Sequence, residues 1–311
     1  MSEQPDPPAD TWSQWLLHGR HGGDRALREA IDPDLQSFAD RVLDGAGIGP
    51  DMTLVDIGSG EGLVPFRAIE RFGPALRVIL TDISLPMLHH AEGRAKALGI
   101  ASQCSFVECG AEKLGPIADR SVDVVTTRAA LAYVPDKQLA LREFHRALKP
   151  GGRLSIAEPI FQDDAFYACA LKNRVESKRT GRMDPLEPLL HRWKAAQFPD
   201  TQAKMAASPI TNFSERMLFE WIRQAGFKQI HMELHMDTTL TRPTSWQAFL
   251  DSSPHPWAPP LTDILAKQFS REECQIFETS LRPMVESGQT PTIIRTVYAT
   301  ATKAPASRQP A

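Results

Sequence analysis

Between about residue 50 and residue 160, short runs of β-branched residues and leucine alternate with longer segments of helical periodicity. This alternation is typical of parallel βαβ units. It predicts five strands: Thr53–Ile57, Val78–Thr81, Ser105–Glu108, Val122–Thr126 and Arg153–Ala157. Residues 85–98 and 141–148 carry apolar stripes at helical spacing, so we expect these two helices to cover the sheet.

The segments before and after this core have other patterns. The first 45 residues carry a short apolar stripe from Trp12 to Leu17, followed by a turn with several glycines, which predicts a helical cap beside the core. Residues 160–212 are rich in proline, tryptophan and charge, and we interpret them as an insertion. Residues 214–225 then predict a helix that ends at Gly226.

Two final strands are predicted at Lys228–Leu240 and Thr292–Thr302. The long stretch between them, about residues 243–290, predicts a second insertion that forms either part of a pocket or an interface. The expected organisation is therefore a cap over residues 1–45 and a larger domain over residues 46–311 that contains both insertions.

One glycine-rich turn is the main candidate for ligand binding. Residues 54–62 read Leu-Val-Asp-Ile-Gly-Ser-Gly-Glu-Gly, so a buried strand runs directly into glycines that let the backbone approach a ligand. A dinucleotide fingerprint would place its third glycine where Leu63 stands, and the Gly-Lys-Ser/Thr ending of a phosphate loop is absent. Asp56 and Glu61 would repel a pyrophosphate, whereas they suit a ligand that carries an ammonium and a sulfonium. The charge favours S-adenosyl-L-methionine (AdoMet) over NAD.

A second carboxylate supports the same interpretation. Asp82 follows the second strand, twenty residues after Gly62, where a carboxylate can accept hydrogen bonds from both hydroxyls of a ribose.

Together, the glycine turn, Asp82, the strand at 122–125 and the Leu-Lys-Pro-Gly-Gly turn at 148–152 resemble class I small-molecule methyltransferases over roughly residues 50–160. The resemblance implies an α/β, Rossmann-like fold with a seven-stranded, mostly parallel sheet, helices on both faces and an antiparallel last strand. It also implies AdoMet as cofactor and methyl transfer to oxygen, nitrogen or carbon of a small metabolite.

The resemblance further implies which residues hold the cofactor. In that family the glycine turn wraps the methionine part, the acidic residue after the second strand binds ribose, residues after the third strand hold adenine, and the residue just after the fourth strand lies against the methionine part. The corresponding residues here are Asp56, Gly58, Ser59, Gly60, Gly62, Asp82, Ile83, Gly110, Ala111, Glu112 and Arg128. For Arg128 three roles stay open: a backbone contact with AdoMet, a guanidinium directed at an anionic acceptor, or a surface salt bridge. Many relatives have an aspartate where this chain has Gly110, which leaves the backbone of Ala111 or the side chain of Glu112 to bind adenine.

Methyl transfer is an in-line displacement that requires mainly alignment and a dry cavity, and it needs a base only when the acceptor holds its proton tightly. Candidate bases at strand ends or in the covering segments are Tyr133, Glu158 and His191, with His231 and His235 as further candidates. The covering segments are also rich in aromatic residues, which favours an apolar or planar acceptor: Trp12, Trp15, Phe161, Phe166, Tyr167, Trp193, Phe198, Trp246 and Trp257.

Composition narrows the remaining choices. Of 311 residues, 42% are hydrophobic, and 35 basic residues balance 38 acidic ones without a dense basic run, so neither nucleic acid nor a membrane is an expected partner. The four cysteines form no CxxC pair and the N-terminus lacks a secretion pattern, which predicts a cytoplasmic protein. We expect no metal and a small-molecule acceptor, and a homodimer stays open. The alternatives are a non-catalytic AdoMet-binding module and an NAD-dependent oxidoreductase.

Overall fold

A seven-stranded sheet forms the centre of the structure, a computed structural model that describes residues 9–177 and 184–306. Its strands are β1 (Thr53–Ile57), β2 (Arg77–Asp82), β3 (Cys104–Glu108), β4 (Val122–Arg128), β5 (Leu148–Pro159), β6 (Lys228–Leu240) and β7 (Pro291–Thr302). The spatial order is β3-β2-β1-β4-β5-β7-β6, and β7 runs antiparallel to both of its neighbours while the other neighbouring pairs are parallel. The predicted fold class, a mostly parallel Rossmann-like sheet with an antiparallel last strand, is confirmed.

The strand predictions agree with the structure except at the start of β5. The bounds of β1 are as predicted, and β4 continues two residues further, to Arg128. The interpretation of Leu148 as the last residue of a helical stripe was wrong, since the helix ends at Ala147 and Leu148 begins β5. Pro150 has no N–H to donate to a helical carbonyl and disfavours helical backbone at Lys149, and Leu148 already has the extended backbone of a C-cap.

Helices cover both faces of the sheet. They are α1 (Thr11–Gln14), α2 (Arg25–Ala46), α3 (Leu63–Phe72), α4 (Leu85–Ala97), α5 (Lys137–Ala147), α6 (Gln162–Ser177), α7 (Leu186–Gln197), α8 (Gln202–Ala207), α9 (Glu215–Gln224), α10 (Trp246–Asp251), α11 (Leu261–Gln268) and α12 (Arg271–Ser287). Apolar residues of α2, α3 and α4 pack on one face, and those of α5 and α9, such as Phe144 and Ile222, pack on the other. The two layers hold the strand ends in fixed positions.

The N-terminal segment is helical, and its last helix is part of the core. Asp10 caps α1, which continues as a π-helical turn over Trp15–Gly19. Helix α2 begins after Asp24, whose side chain accepts the Leu27 N–H, and ends at Gly47 in the left-handed conformation. Its C-terminal half buries Leu43 against the sheet, so only its N-terminal half projects beyond it. The separate cap over residues 1–45 stays a prediction.

The two predicted insertions pack against each other. Helix α7 of the first insertion contributes Leu189 to an apolar cluster with Trp246, Ile264 and Phe277 of helices α10 to α12. This cluster is distinct from the two that cover the sheet. The insertion boundaries themselves remain predictions.

Candidate active site

A cavity of about 1280 Å³ opens at the carboxyl ends of β1, β2 and β4. The strand order reverses between β1 and β4, and ligands of open α/β sheets bind at such a switch point. Of the predicted cofactor residues, only Gly62 is not in the cavity wall. The others line it: Asp56, Gly58, Ser59, Gly60, Asp82, Ile83, Gly110, Ala111, Glu112 and Arg128.

The glycine turn has the backbone conformation that requires glycine. Gly58, Gly60 and Gly62 have φ angles of 66°, 51° and 86°, all in the left-handed region. A Cβ atom on Gly58 would lie 2.4 Å from the Cβ of Ala130, in the loop after β4. Gly62 serves packing instead, because a Cβ there would lie 2.4 Å from the ring of Phe66.

Asp82 keeps half of its hydrogen-bonding capacity for a ligand. Its Oδ2 accepts the Gly60 N–H at 2.9 Å, and its Oδ1 accepts the Ser84 N–H at 3.0 Å. A carboxylate has about four acceptor sites, so one site remains on each oxygen, which matches the two hydroxyls of a ribose. The bonds to Gly60 and Ser84 also fix the carboxylate relative to the glycine turn.

Asp56 lies in β1, two residues before the first glycine of the turn. Its Oδ1 accepts the Thr126 hydroxyl at 2.7 Å, and burial raises its pKa to about 7, with a smaller contribution from Asp82. Glu61 cannot play the part that the sequence interpretation gave it, because its carboxylate pairs with Arg28 and lies 3.7 Å from Arg94. The argument that Glu61 attracts a cationic ligand was therefore wrong, whereas Asp56 forms no ion pair within the described residues.

The part of the cavity where adenine is expected is lined by the backbone of residues 110–111 and by the apolar side chain of Ile83. Ile83 is 53% exposed, and a Cβ on Gly110 would be in ordinary contact with it at 3.5 Å. Glu112 lines the cavity, but its Oε1 accepts the Asp136 N–H at 2.6 Å. One carboxylate oxygen of Glu112 is thus committed to the start of α5.

Tyr133 is the candidate base that lies in the cavity. It is at the centre of an aromatic cluster, with ring centroids 5.2 Å from Trp12, 5.9 Å from Phe161 and 5.7 Å from Trp257. Burial raises the pKa of Tyr133, and the nearby Arg20 opposes that effect. The phenol is therefore protonated at neutral pH and can donate a hydrogen bond into the cavity.

The other candidate bases lie outside the cavity wall. Glu158 is fully buried and accepts hydrogen bonds from the loop after β4. His191 is 3.2 Å from Asp200, and His231 and His235 both contact Glu233 on β6. The geometry does not place these four residues where a base would meet an acceptor.

Three of the nine aromatic residues that were expected to form the acceptor pocket line the cavity, namely Trp12, Trp15 and Phe161. Trp193 and Trp246 belong to the cluster between the insertions, and Phe166 and Tyr167 are largely exposed. Much of the second insertion therefore contributes to packing.

Sequence reasoning missed part of the cavity wall. Arg20 follows the π-helical turn, and the N-terminal half of α2 and residues 292–296 of β7 complete the wall. The basic residues between the glycines of residues 18–23 were the available signal for Arg20. The contribution of β7 depends on its position between β5 and β6, which no local pattern encodes.

Two features are absent from the described ranges. No group of three or more His, Cys, Asp or Glu side chains in residues 9–177 and 184–306 is arranged to hold a metal ion. None of the helices in these ranges is both long and apolar enough to cross a membrane.

Comparison with protein families gives one match over the core. The family model described as "Methyltransferase domain" matches residues 48–207, slightly more than half of the chain. Among curated proteins, the chain is 35% identical over 139 residues to the ubiquinone/menaquinone biosynthesis C-methyltransferase UbiE of Klebsiella pneumoniae. The match covers 43% of this chain and 55% of that protein, so the chain spans about half the length of the curated relatives it matches.

Solved structures agree on the fold. The YcgJ protein of Bacillus subtilis aligns with a TM-score of 0.55 at 16% identity, over 88% of this chain and 99% of that one. The [4+2]-cyclase SpnF aligns with a TM-score of 0.50 at 19% identity, over 93% of this chain and 87% of that one. At these identities the likeness concerns the fold alone.

Proposed function

We propose that this chain, which belongs to the methyltransferase domain family, transfers a methyl group from AdoMet to a small, apolar or aromatic metabolite. AdoMet is the methyl donor of this family, so the cofactor predicted from the sequence is confirmed. The NAD-dependent oxidoreductase alternative loses its support. The observation that carries the proposal is Asp82, which offers two free acceptor sites directly beside the glycine turn.

The residues at the strand ends fit AdoMet. Gly58 lets the turn lie close to Ala130 in the loop after β4, and we assign Asp56 to the methionine ammonium and Asp82 to the ribose. Ile83 and the backbone of Ala111 would hold the adenine. When bound, AdoMet supplies a methyl group on a sulfonium, which passes to the acceptor and leaves S-adenosylhomocysteine.

The chain itself contributes alignment and the exclusion of water. Trp12, Trp15 and Tyr133 form an aromatic wall over the strand ends, and a dry wall strengthens the electrostatic contacts made inside it. The phenol of Tyr133 donates a hydrogen bond to the acceptor and so orients it. We assign no obligatory base, since an acceptor with a weakly held proton needs none.

The acceptor, the location and the assembly follow as parts of the same proposal. The curated relatives are named as ubiquinone/menaquinone C-methyltransferases, and the apolar cavity wall supports a quinone-like or phenolic acceptor. A cytoplasmic location fits the composition. A homodimer is supported only by exposed apolar residues such as Leu234 and Met236 on β6, and light scattering of the purified protein would test it.

The first test is calorimetric titration with AdoMet, S-adenosylhomocysteine and NAD. We expect micromolar binding of both adenosyl ligands and none of NAD. Asp82→Asn removes the charge that holds the ribose, and a hydrogen bond to a charged group is worth about 1.5–3 kcal/mol, so affinity should fall at least about tenfold. Asp119→Asn is the matched control, because Asp119 is exposed and pairs with Arg146 away from the cavity.

Unfolding in denaturant shows whether Asp82→Asn acts through the site or through the fold. Retained stability with lost binding supports the proposal. Binding of NAD alone, or adenosyl binding that does not respond to Asp82→Asn, contradicts it.

The second candidate is a non-catalytic AdoMet-binding module. The [4+2]-cyclase SpnF has this fold, so the fold does not by itself require methyl transfer. Transfer of radiolabelled methyl to any quinol or phenol in an acceptor screen would exclude the module, whereas cofactor binding without transfer across the screen would favour it.

A further inference from the structure

The cavity is larger than one ligand requires. Its volume of about 1280 Å³ exceeds the roughly 300–1,000 Å³ of typical small-molecule sites. Beyond the strand ends it extends between the N-terminal half of α2 and strand β7. Apolar side chains form the walls there: Leu27, Ile31, Leu35, Phe38, Leu240 and Ile293.

Two guanidinium groups line the cavity without a carboxylate partner in the described ranges. Arg20 lies over the ring of Trp15 at 5.6 Å, and Arg128 lies over the ring of Phe38 at 5.2 Å. Within residues 9–177 and 184–306, neither side chain forms an ion pair or a hydrogen bond with the protein. Glu158 is near Arg128, but its oxygens accept hydrogen bonds from backbone N–H groups and the Thr127 hydroxyl.

The other arginines of the cavity wall differ in this respect. Each has an acidic partner: Arg28 and Arg94 with Glu61, Arg242 with Asp34, and Arg295 with Asp163. The wall therefore contains two positive charges without an acidic partner among the described residues. Burial, with a smaller contribution from Arg20, lowers the pKa of Arg128 to about 10, so the two charges are close enough to repel each other. An isolated buried charge is costly, and two of like sign are costlier. A bound anion would offset this cost.

We propose that Arg128, with Arg20 beside it, binds an anionic oxygen group of the methyl acceptor, so that the quinone-like or phenolic acceptor also carries an acidic group, and its apolar body lies along α2 and β7. Arginine presents a planar fork of N–H donors that fits a carboxylate. The hydroxyl of Tyr133, whose titration responds to both arginines, can add a third donor. This inference rests on the proposed function, because only that function makes the second ligand a methyl acceptor.

The competing occupant is the carboxylate of the cofactor itself. AdoMet brings one carboxylate, whereas the wall holds two unpaired guanidinium groups. Both guanidinium groups act on acidic residues at the glycine turn, since burial lowers the pKa of Arg20 and Glu61 opposes that effect, while burial raises the pKa of Asp56 and Arg128 opposes it. The choice between them therefore depends on the apolar wall. Arg128 stacks on Phe38 of the apolar wall, which assigns it to the second ligand.

The test uses protein saturated with S-adenosylhomocysteine, so that the cofactor site is filled, and two probes of equal chain length, octanoate and octan-1-ol. We expect calorimetry to show octanoate binding at least tenfold more tightly than the alcohol. Arg128→Met should weaken octanoate at least tenfold and change the affinity for S-adenosylhomocysteine less than threefold. Arg128→Lys should keep part of the preference for octanoate over octan-1-ol. Arg242→Met is the matched control, because Arg242 lies in the same wall but pairs with Asp34.

Each outcome has a distinct meaning. If S-adenosylhomocysteine does not bind the wild type, the proposed function fails first. If it binds but octanoate shows no advantage over octan-1-ol, this inference alone is overturned. If Arg128→Met abolishes S-adenosylhomocysteine binding, Arg128 serves the cofactor carboxylate and the inference is overturned. It is also overturned if Arg128→Met binds S-adenosylhomocysteine normally and the saturated variant binds octanoate as tightly as the wild type.

Discussion

Glu158 fixes the loop between β4 and α5, and its replacement by glutamine tests that role. One carboxylate oxygen accepts hydrogen bonds from the Leu131 N–H at 3.1 Å, the Ala130 N–H at 3.3 Å and the Thr127 hydroxyl at 3.3 Å. The other oxygen accepts the Ala132 N–H at 2.9 Å. All four partners are donors, so the site matches a group that only accepts.

Glutamine has one acceptor oxygen and one NH₂ group. In the orientation that loses fewer hydrogen bonds, the glutamine oxygen accepts from the Leu131 side. The NH₂ group then points at the Ala132 N–H. That leaves two buried donors facing each other, and a buried unsatisfied donor costs about 1–3 kcal/mol. For the two donors together we therefore expect Glu158→Gln to lower the free energy of unfolding by about 2–6 kcal/mol.

Urea unfolding followed by tryptophan fluorescence measures this loss. Glu286→Gln is the matched control, since Glu286 pairs with Arg282 on the exposed side of α12 and should change stability by less than about 0.5 kcal/mol. A Glu158→Gln protein that unfolds at the wild-type midpoint with the wild-type slope would refute the reasoning. Such a result would mean that the loop finds other acceptors.

Two further predictions concern the cofactor side of the cavity. Because burial raises the pKa of Asp56 to about 7 and only its ionised form attracts an ammonium, protonation competes with the ligand. Affinity for S-adenosylhomocysteine should therefore rise as the pH increases toward about 7, by up to about tenfold per pH unit, and Asp56→Asn should remove this dependence. Calorimetry at several pH values measures it, and a wild-type affinity that does not change with pH would contradict the prediction. Gly58→Ala should abolish binding in the same assay because its Cβ would meet Ala130, whereas Gly93→Ala, in the open face of α4, should leave binding intact; equal effects of the two would rule out the steric argument.

The cofactor-binding residues at the strand ends could be predicted from sequence because the motifs that mark them are local. A buried strand, a glycine turn and Asp82 follow one another within about thirty residues, and the parallel sheet necessarily brings their ends together. The left-handed backbone at Gly58 and Gly60 is the structural counterpart of that pattern.

The remainder of the cavity depends on contacts between distant segments. Arg20 and Arg128 become neighbours only because the N-terminal helices fold over the end of β4. Glu158 was predicted as a base from its place at the end of β5, but strand alternation turns it away from the cavity wall and toward the loop after β4. His191 lies on α7, and its contact with Asp200 could not be read from spacing alone.

The position of β7 also constrains how the protein folds. The parallel strands β1 to β5 can assemble from successive βαβ units as the chain emerges, but β6 has no partner in the sheet until β7 has been inserted between it and β5. Closing the long chain between Pro159 and Pro291 is an entropically costly, non-local step. Because β7 also supplies one wall of the cavity, the acceptor side is completed only when the last and slowest pairing has formed.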